Sequence, residues 1–135
     1  KYDNYAGERV RSHNYNGDYA FQRAISWTTI SSAQFCCRYA TEGYIFDTAG
    51  PFFIPNDYNN IRRILAFLET KIADYYLNVI NPTINFPPGY IQSLPFDVGS
   101  KGNEIDSITS DCVELSKNDW DSREASWDFK KHPLI

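Results

Sequence analysis

Residues 56–80 read NDYNNIRRILAFLETKIADYYLNVI, and the period of their apolar side chains decides how the rest of the chain must be arranged. Ile61, Ile64, Leu65, Leu68, Ile72, Tyr75, Tyr76 and Val79 recur at spacings of three and four, an apolar stripe down one helical face. Arg62, Arg63, Glu69, Lys71 and Asp74 take the other faces. Asn56-Asp57 offers an N-cap just after Pro55, and Pro82 disfavours helical backbone at Asn81, so one long amphipathic helix ending near Ile80 is expected.

Upstream, the period shortens. AISWTTI (24–30), QFCCRYA (34–40), GYIFDTA (43–49) and PFFIP (51–55) are short runs rich in β-branched and aromatic residues, separated by turn residues. A small, mostly antiparallel sheet under the helix follows, with Trp27, Phe46 and Phe53 as core candidates and at least one of Tyr75 and Tyr76 facing inward. Downstream, NPTINFPPGYIQSLPF (81–96) holds four prolines and should lie extended on the core. Glu104–Leu115 suggests a second, shorter and weaker helix, and the tail carries Trp120 and Trp127, which at seven apart would share a helical face. The expected class is α+β. Residues 1–20 read as a polar connecting segment, 21–95 as the folded α+β unit, and 96–135 as a helix plus an acidic, Trp-containing tail that docks on something.

Composition narrows the chemistry. The 135 residues carry a net charge of −4, with 42% apolar and 22% charged residues, a globular balance with no stretch long enough to span a membrane. Five basic residues fall against three acidic in 1–40, and five against nine in 96–135, so no domain-wide basic surface announces nucleic acid. Cys36, Cys37 and Cys112 are odd in number and lack CxxC spacing, which reads as reduced thiols in a cytoplasmic protein. The chain has no Met and opens on Lys1, as expected of a polypeptide taken from inside a longer protein.

Catalytic signatures are missing. Phe86-Pro87-Pro88-Gly89-Tyr90 resembles the Asn/Asp/Ser-Pro-Pro-aromatic pocket that grips a flipped base, but Phe86 offers no hydrogen-bond acceptor in its side chain and Gly89 displaces the aromatic. The glycines form no phosphate loop, and His13 and His132 support neither a triad nor a metal site. Asp119, Asp121, Glu124 and Asp128 read as a solvated acidic face before they read as a metal site.

Three long segments carry a family resemblance. AISWTTISSAQFCCRYATEGYIFDTAGPFFIP (24–55), ILAFLETKIADYYLNVINPTINFPPGYIQSLPF (64–96) and LSKNDWDSREASWDFKKHPLI (115–135) occur in the order in which they resemble the PglX-type methyltransferases of BREX phage-defence systems. Glu69 departs from that pattern, standing where small or polar residues are frequent. The resemblance implies a parent enzyme that methylates adenine N6 in DNA with S-adenosylmethionine, with its catalytic core N-terminal to a target-recognition region that this chain covers. The chain alone would hold no cofactor and catalyse nothing. Its implied partners are double-stranded DNA, bound weakly in isolation, the parent's catalytic domain and other defence-system subunits.

Residue chemistry then selects DNA-contact candidates: Arg23, Thr28, Thr29, Ser31, Ser32, Gln34 and Arg38, all in the sheet region. The Ser31–Gln34 connection between two strands could enter a groove, and reads equally as an ordinary polar hairpin turn. Arg38 reads also as a surface ion-pair partner, and Arg62 and Arg63 as solvent-exposed charges. A second reading makes the chain an interaction or scaffolding module with no DNA contact. One contiguous patch joining Arg23, Arg38 and the Ser31–Gln34 turn would favour DNA, and scattered arginines beside an exposed apolar strip would favour an interface.

Overall fold

The computed structural model describes residues 17–97, 99, 101–132 and 134. Most of the 1–20 segment lies outside these residues, which begin with a 3₁₀ turn at Gly17–Tyr19. Three strands follow, β1 (Ala24–Trp27), β2 (Cys37–Ala40) and β3 (Phe52–Phe53), then four helices, α1 (Ile61–Leu68), α2 (Lys71–Ile80), α3 (Pro88–Gln92) and α4 (Gly102–Asp121). This is an α+β fold.

β1 is the centre of the sheet, with antiparallel β2 on one side and antiparallel β3 on the other. All four of its residues are buried, as a central strand covered on both faces requires. Cα pairing sets Trp27 opposite Cys37 and Ser26 opposite both Arg38 and Phe52. Alternation therefore sends Ile25 and Trp27 into the main core, where Ile61, Leu65 and Leu68 of α1 meet them. The Trp27 indole N–H donates to the Phe86 carbonyl at 2.7 Å, and Phe35 packs between Trp27 and Phe86, with ring centroids 6.2 and 5.1 Å away. The 81–87 segment thus pairs against the end of β1, with an isolated bridge between Ile30 and Asn85.

Four expectations about secondary-structure elements are corrected, and several about single residues with them. GYIFDTA is not a strand: the Asp47 carboxylate accepts from the amides of both Ala49 and Gly50 at 2.9 Å, a side-chain turn that competes with ladder pairing. The 81–96 segment is not extended throughout, because Pro88, free to occupy the first helical position, starts α3. The second helix is the longest element, 20 residues, and only Gly102 and Thr109 of it are buried. It is long without a strong apolar face because it lies against α1 through a polar clamp: Arg63 donates to Asp106 at 2.8 and 3.0 Å. Arg63 is therefore an interior ion-pair partner, not the solvent-exposed charge expected.

The fourth correction is the long helix. It breaks after Leu68, where Thr70 takes extended backbone (φ −80°, ψ 151°) and its hydroxyl accepts from the Ala73 amide. The break changes the phase of the apolar stripe. In α2 the small Ala73 and Leu77 turn inward, while Ile72, Tyr75, Tyr76, Val79 and Ile80 are exposed. Neither tyrosine faces the core. Phe46 also lies outside the core cluster, stacked on Phe52 at 4.4 Å, whereas Trp27 and Phe53 take their expected places. Trp120 and Trp127 do not share a helix face, since α4 ends at Asp121.

Candidate nucleic-acid interface

The end of β1 and the connection to β2 form a rigid platform. Buried Trp27 anchors one side of the 28–34 loop and buried Phe35 the other. Between them, Thr29 is consumed by the fold: its hydroxyl donates to the Thr48 carbonyl at 2.6 Å, its amide donates to Ala49 and its carbonyl accepts from Phe86. Ser31 is held at its backbone by Ile84, while its hydroxyl oxygen accepts from the Ala33 amide at 3.1 Å and keeps its proton free to donate. Ser32 and Gln34 are exposed.

Arg38 joins this group from the neighbouring strand. Its guanidinium donates to the Thr28 hydroxyl at 3.1 Å, and among the described residues it has no carboxylate within ion-pair distance. Thr28 and Arg38 are thus brought into contact, and Ser31, Ser32 and Gln34 lie on the loop that connects β1 to β2. Arg23 does not belong with them, so the single patch joining both arginines that would favour DNA is not formed. Arg23 precedes β1, roughly 16 Å along the strand from Thr28, stacks over Tyr58 at 5.2 Å and pairs with Glu42 at 3.5 Å. Of the seven candidates, Thr28 and Arg38 touch, Ser31, Ser32 and Gln34 share the loop after Thr28, Thr29 is bonded into the fold and Arg23 is elsewhere.

Glu69 was not singled out as a functional residue, yet it shapes this region. Its carboxylate accepts from the Cys37 amide at 2.5 Å, fixing the start of edge strand β2 to the α1–α2 junction. The Cys37 amide of the strand is thus satisfied by a side chain from the helical layer. Burial first, and then the neighbouring Glu69 charge, push the Cys37 thiol well above its ordinary pKa and keep it protonated.

An apolar pocket of about 210 Å³ lies between the sheet, α1 and α3, lined by Trp27, Phe53, Phe67, Ile91 and Leu94 among others, with Gln92 its one polar side chain. No group of three or more His, Cys, Asp or Glu side chains among the described residues is placed to hold a metal. The acidic tail cluster is instead an ion-pair network in which Lys117 bridges Asp121 and Asp128, and Arg123 pairs with Asp119 at 2.7 Å. No described helix is long and apolar enough to cross a membrane.

No protein-family model matches the chain. Among curated proteins, the adenine-specific methyltransferase PglX of Lacticaseibacillus casei (strain Zhang) is 35% identical over 127 residues, which cover 94% of this chain. The adenine-specific methyltransferase BrxX of Escherichia coli O9:H4 (strain HS) is 36% identical over 122 residues, or 89% of the chain. Both define one class, the adenine-specific methyltransferases. The chain belongs with the PglX-type members of that class, as a segment of such a protein, and spans about 10% of the length of either curated relative.

Proposed function

We propose that this segment is the DNA target-recognition region of a site-specific adenine N6 methyltransferase of a phage-defence or restriction-modification system. The observation that carries the reading is the Arg38–Thr28 contact: a guanidinium steadied by the first residue of a loop that carries exposed Ser32 and Gln34 and is pinned at both ends by buried aromatics. A preorganised arginine and a loop with exposed amide and hydroxyl groups are suited to phosphate contact and to base edges. Methyl transfer, S-adenosylmethionine binding and adenine flipping fall to the remainder of the enzyme. With a net charge of −4, the segment contributes few phosphate contacts and its own affinity for DNA is weak and salt-sensitive.

The test is duplex binding by the folded chain at low and moderate salt. Arg38→Ala should weaken binding roughly five- to tenfold and reduce the salt slope by about one, as loss of a phosphate-contacting cation does. Arg23→Ala, at the far end of the strand, should leave both nearly unchanged. Absence of binding at low salt, or equal sensitivity to the two substitutions, would overturn the reading.

A further inference from the structure

The exposed face of α2 is the largest feature that the DNA reading leaves unused. Ile72, Tyr75, Tyr76, Val79 and Ile80 stand at i, i+3, i+4, i+7 and i+8, the pattern of a helix face made to be covered. Tyr75 is 68% and Val79 64% exposed, and Ile84, four residues after the helix, is exposed as well. From Ile72 to Ile84 the single charged residue is Asp74. The inward side of the same helix is served by Ala73 and Leu77, so the strip is not an alternative packing surface for this core.

The chemistry of the strip limits what can cover it. It has no Lys or Arg to meet phosphate, so it is not a second DNA surface. A ten-residue helix whose one cation is Lys71 lacks the basic flank of an interfacial membrane helix. An apolar protein surface is the remaining complement. Five half-exposed side chains amount to a patch of several hundred Å², near the upper end of what a monomer leaves bare but below the ~800 Å² per partner typical of free-standing complexes. A patch of that size suffices when its partner is tethered, because effective concentrations within one polypeptide reach the millimolar range. The curated relatives extend for about nine-tenths of their length beyond the matched segment, which is where a tethered partner would lie.

We infer that the Ile72–Tyr75–Tyr76–Val79–Ile80 face docks this segment onto an apolar surface of the same, longer methyltransferase polypeptide. The inference takes the family relationship from the comparisons and is independent of the Arg38–Thr28 contact. It is tested by placing the photo-crosslinking residue p-benzoylphenylalanine at position 75 or 79 of the full-length protein and mapping the products by mass spectrometry. Intramolecular crosslinks to residues outside the segment are expected. Crosslinks between two copies, crosslinks to another protein, or none at all would each overturn it. Val79→Lys provides a second readout. It should lower the melting temperature of the full-length protein by several degrees and leave that of the isolated chain within about 1 °C, since the position is already solvated there. Equal shifts in both, or no shift in either, would count against docking.

Discussion

Replacing Trp27 with Phe tests the joint on which both the sheet and the Arg38–Thr28 contact depend. Trp27 is fully buried, and its indole N–H is the donor to the Phe86 carbonyl, itself on a residue only 8% exposed. Phe keeps the aromatic contact with Phe35 but removes the donor and the second ring. Loss of the donor leaves a buried carbonyl unpaired, at about 1–3 kcal/mol. The missing ring atoms forfeit about 1 kcal/mol of transfer energy and leave a cavity of a few tens of Å³, about another 1 kcal/mol. A destabilisation of roughly 3–5 kcal/mol is expected, a large share of the ~5–15 kcal/mol that holds a domain together. Urea unfolding followed by far-ultraviolet circular dichroism measures it without relying on the altered fluorophore. Fluorescence adds a check: of the three tryptophans, Trp120 and Trp127 are exposed, so the blue-shifted part of the native emission should disappear with Trp27. A loss below about 1 kcal/mol would refute the reasoning, because it would mean that the Phe86 carbonyl regains a partner and that the 81–87 segment is not pinned to β1 through this bond.

Other perturbations follow from the same contacts. A Cβ on Gly102 would run into the Arg63 guanidinium, so Gly102→Ala should push Arg63 off Asp106, whose second oxygen is already buried without a partner, and cost about 1–2 kcal/mol in urea unfolding despite alanine's better helix propensity. Thiol-reagent labelling of the native protein should modify exposed Cys36 and Cys112 quickly and Cys37 only on unfolding, because burial holds that thiol protonated. The Asp121 carboxyl is held below its ordinary value chiefly by hydrogen bonds from the Lys117 ammonium and the Ser126 hydroxyl. Its contribution is therefore complete above the ordinary aspartate pKa and is lost as pH falls through the depressed one. Protection of the Ser126 and Asp128 amides, taken as the ratio of intrinsic to observed exchange rate at each pH, should hold down to about pH 4 and fall only in stronger acid.

The sheet was legible because its signals are local. β-Branched and aromatic runs around Trp27, Tyr39 and Phe53 favour strands whatever surrounds them, and the turn residues between them set their limits. What misled at 43–49 was equally local but polar: Asp47 binds two amides at once, and composition ranks that below the pull of Tyr44, Ile45 and Phe46. α4 was underestimated because its packing runs through Gly102, Asp106 and Thr109, residues that leave no hydrophobic period. In the candidate site, residue chemistry could not separate Thr29, whose hydroxyl donates to the Thr48 carbonyl, from Thr28, whose hydroxyl accepts from Arg38. That distinction depends on which side of the loop meets the 44–50 segment, a tertiary fact.

The break at Thr70 is the case in which pattern and fold disagree for a reason that bears on function. The periodicity across Leu68 and Ile72 is real, and an unbroken helix would present all of it to one core. Thr70 ends that continuity by giving the second half its own cap, and Glu69, immediately before it, reaches across to the Cys37 amide. The two residues at the junction thus have separate tasks, one turning α2 out of phase and the other fastening the junction to β2. A chain that needed only its own core would gain about 1 kcal/mol or more for each large apolar side chain it turned inward. Here five stay outside at helical spacing while Ala73 and Leu77 suffice within. Their exposure is stable because the cap and the carboxylate hold the phase. The sequence feature that most resembles a core is therefore, in this fold, the feature most in need of a neighbour.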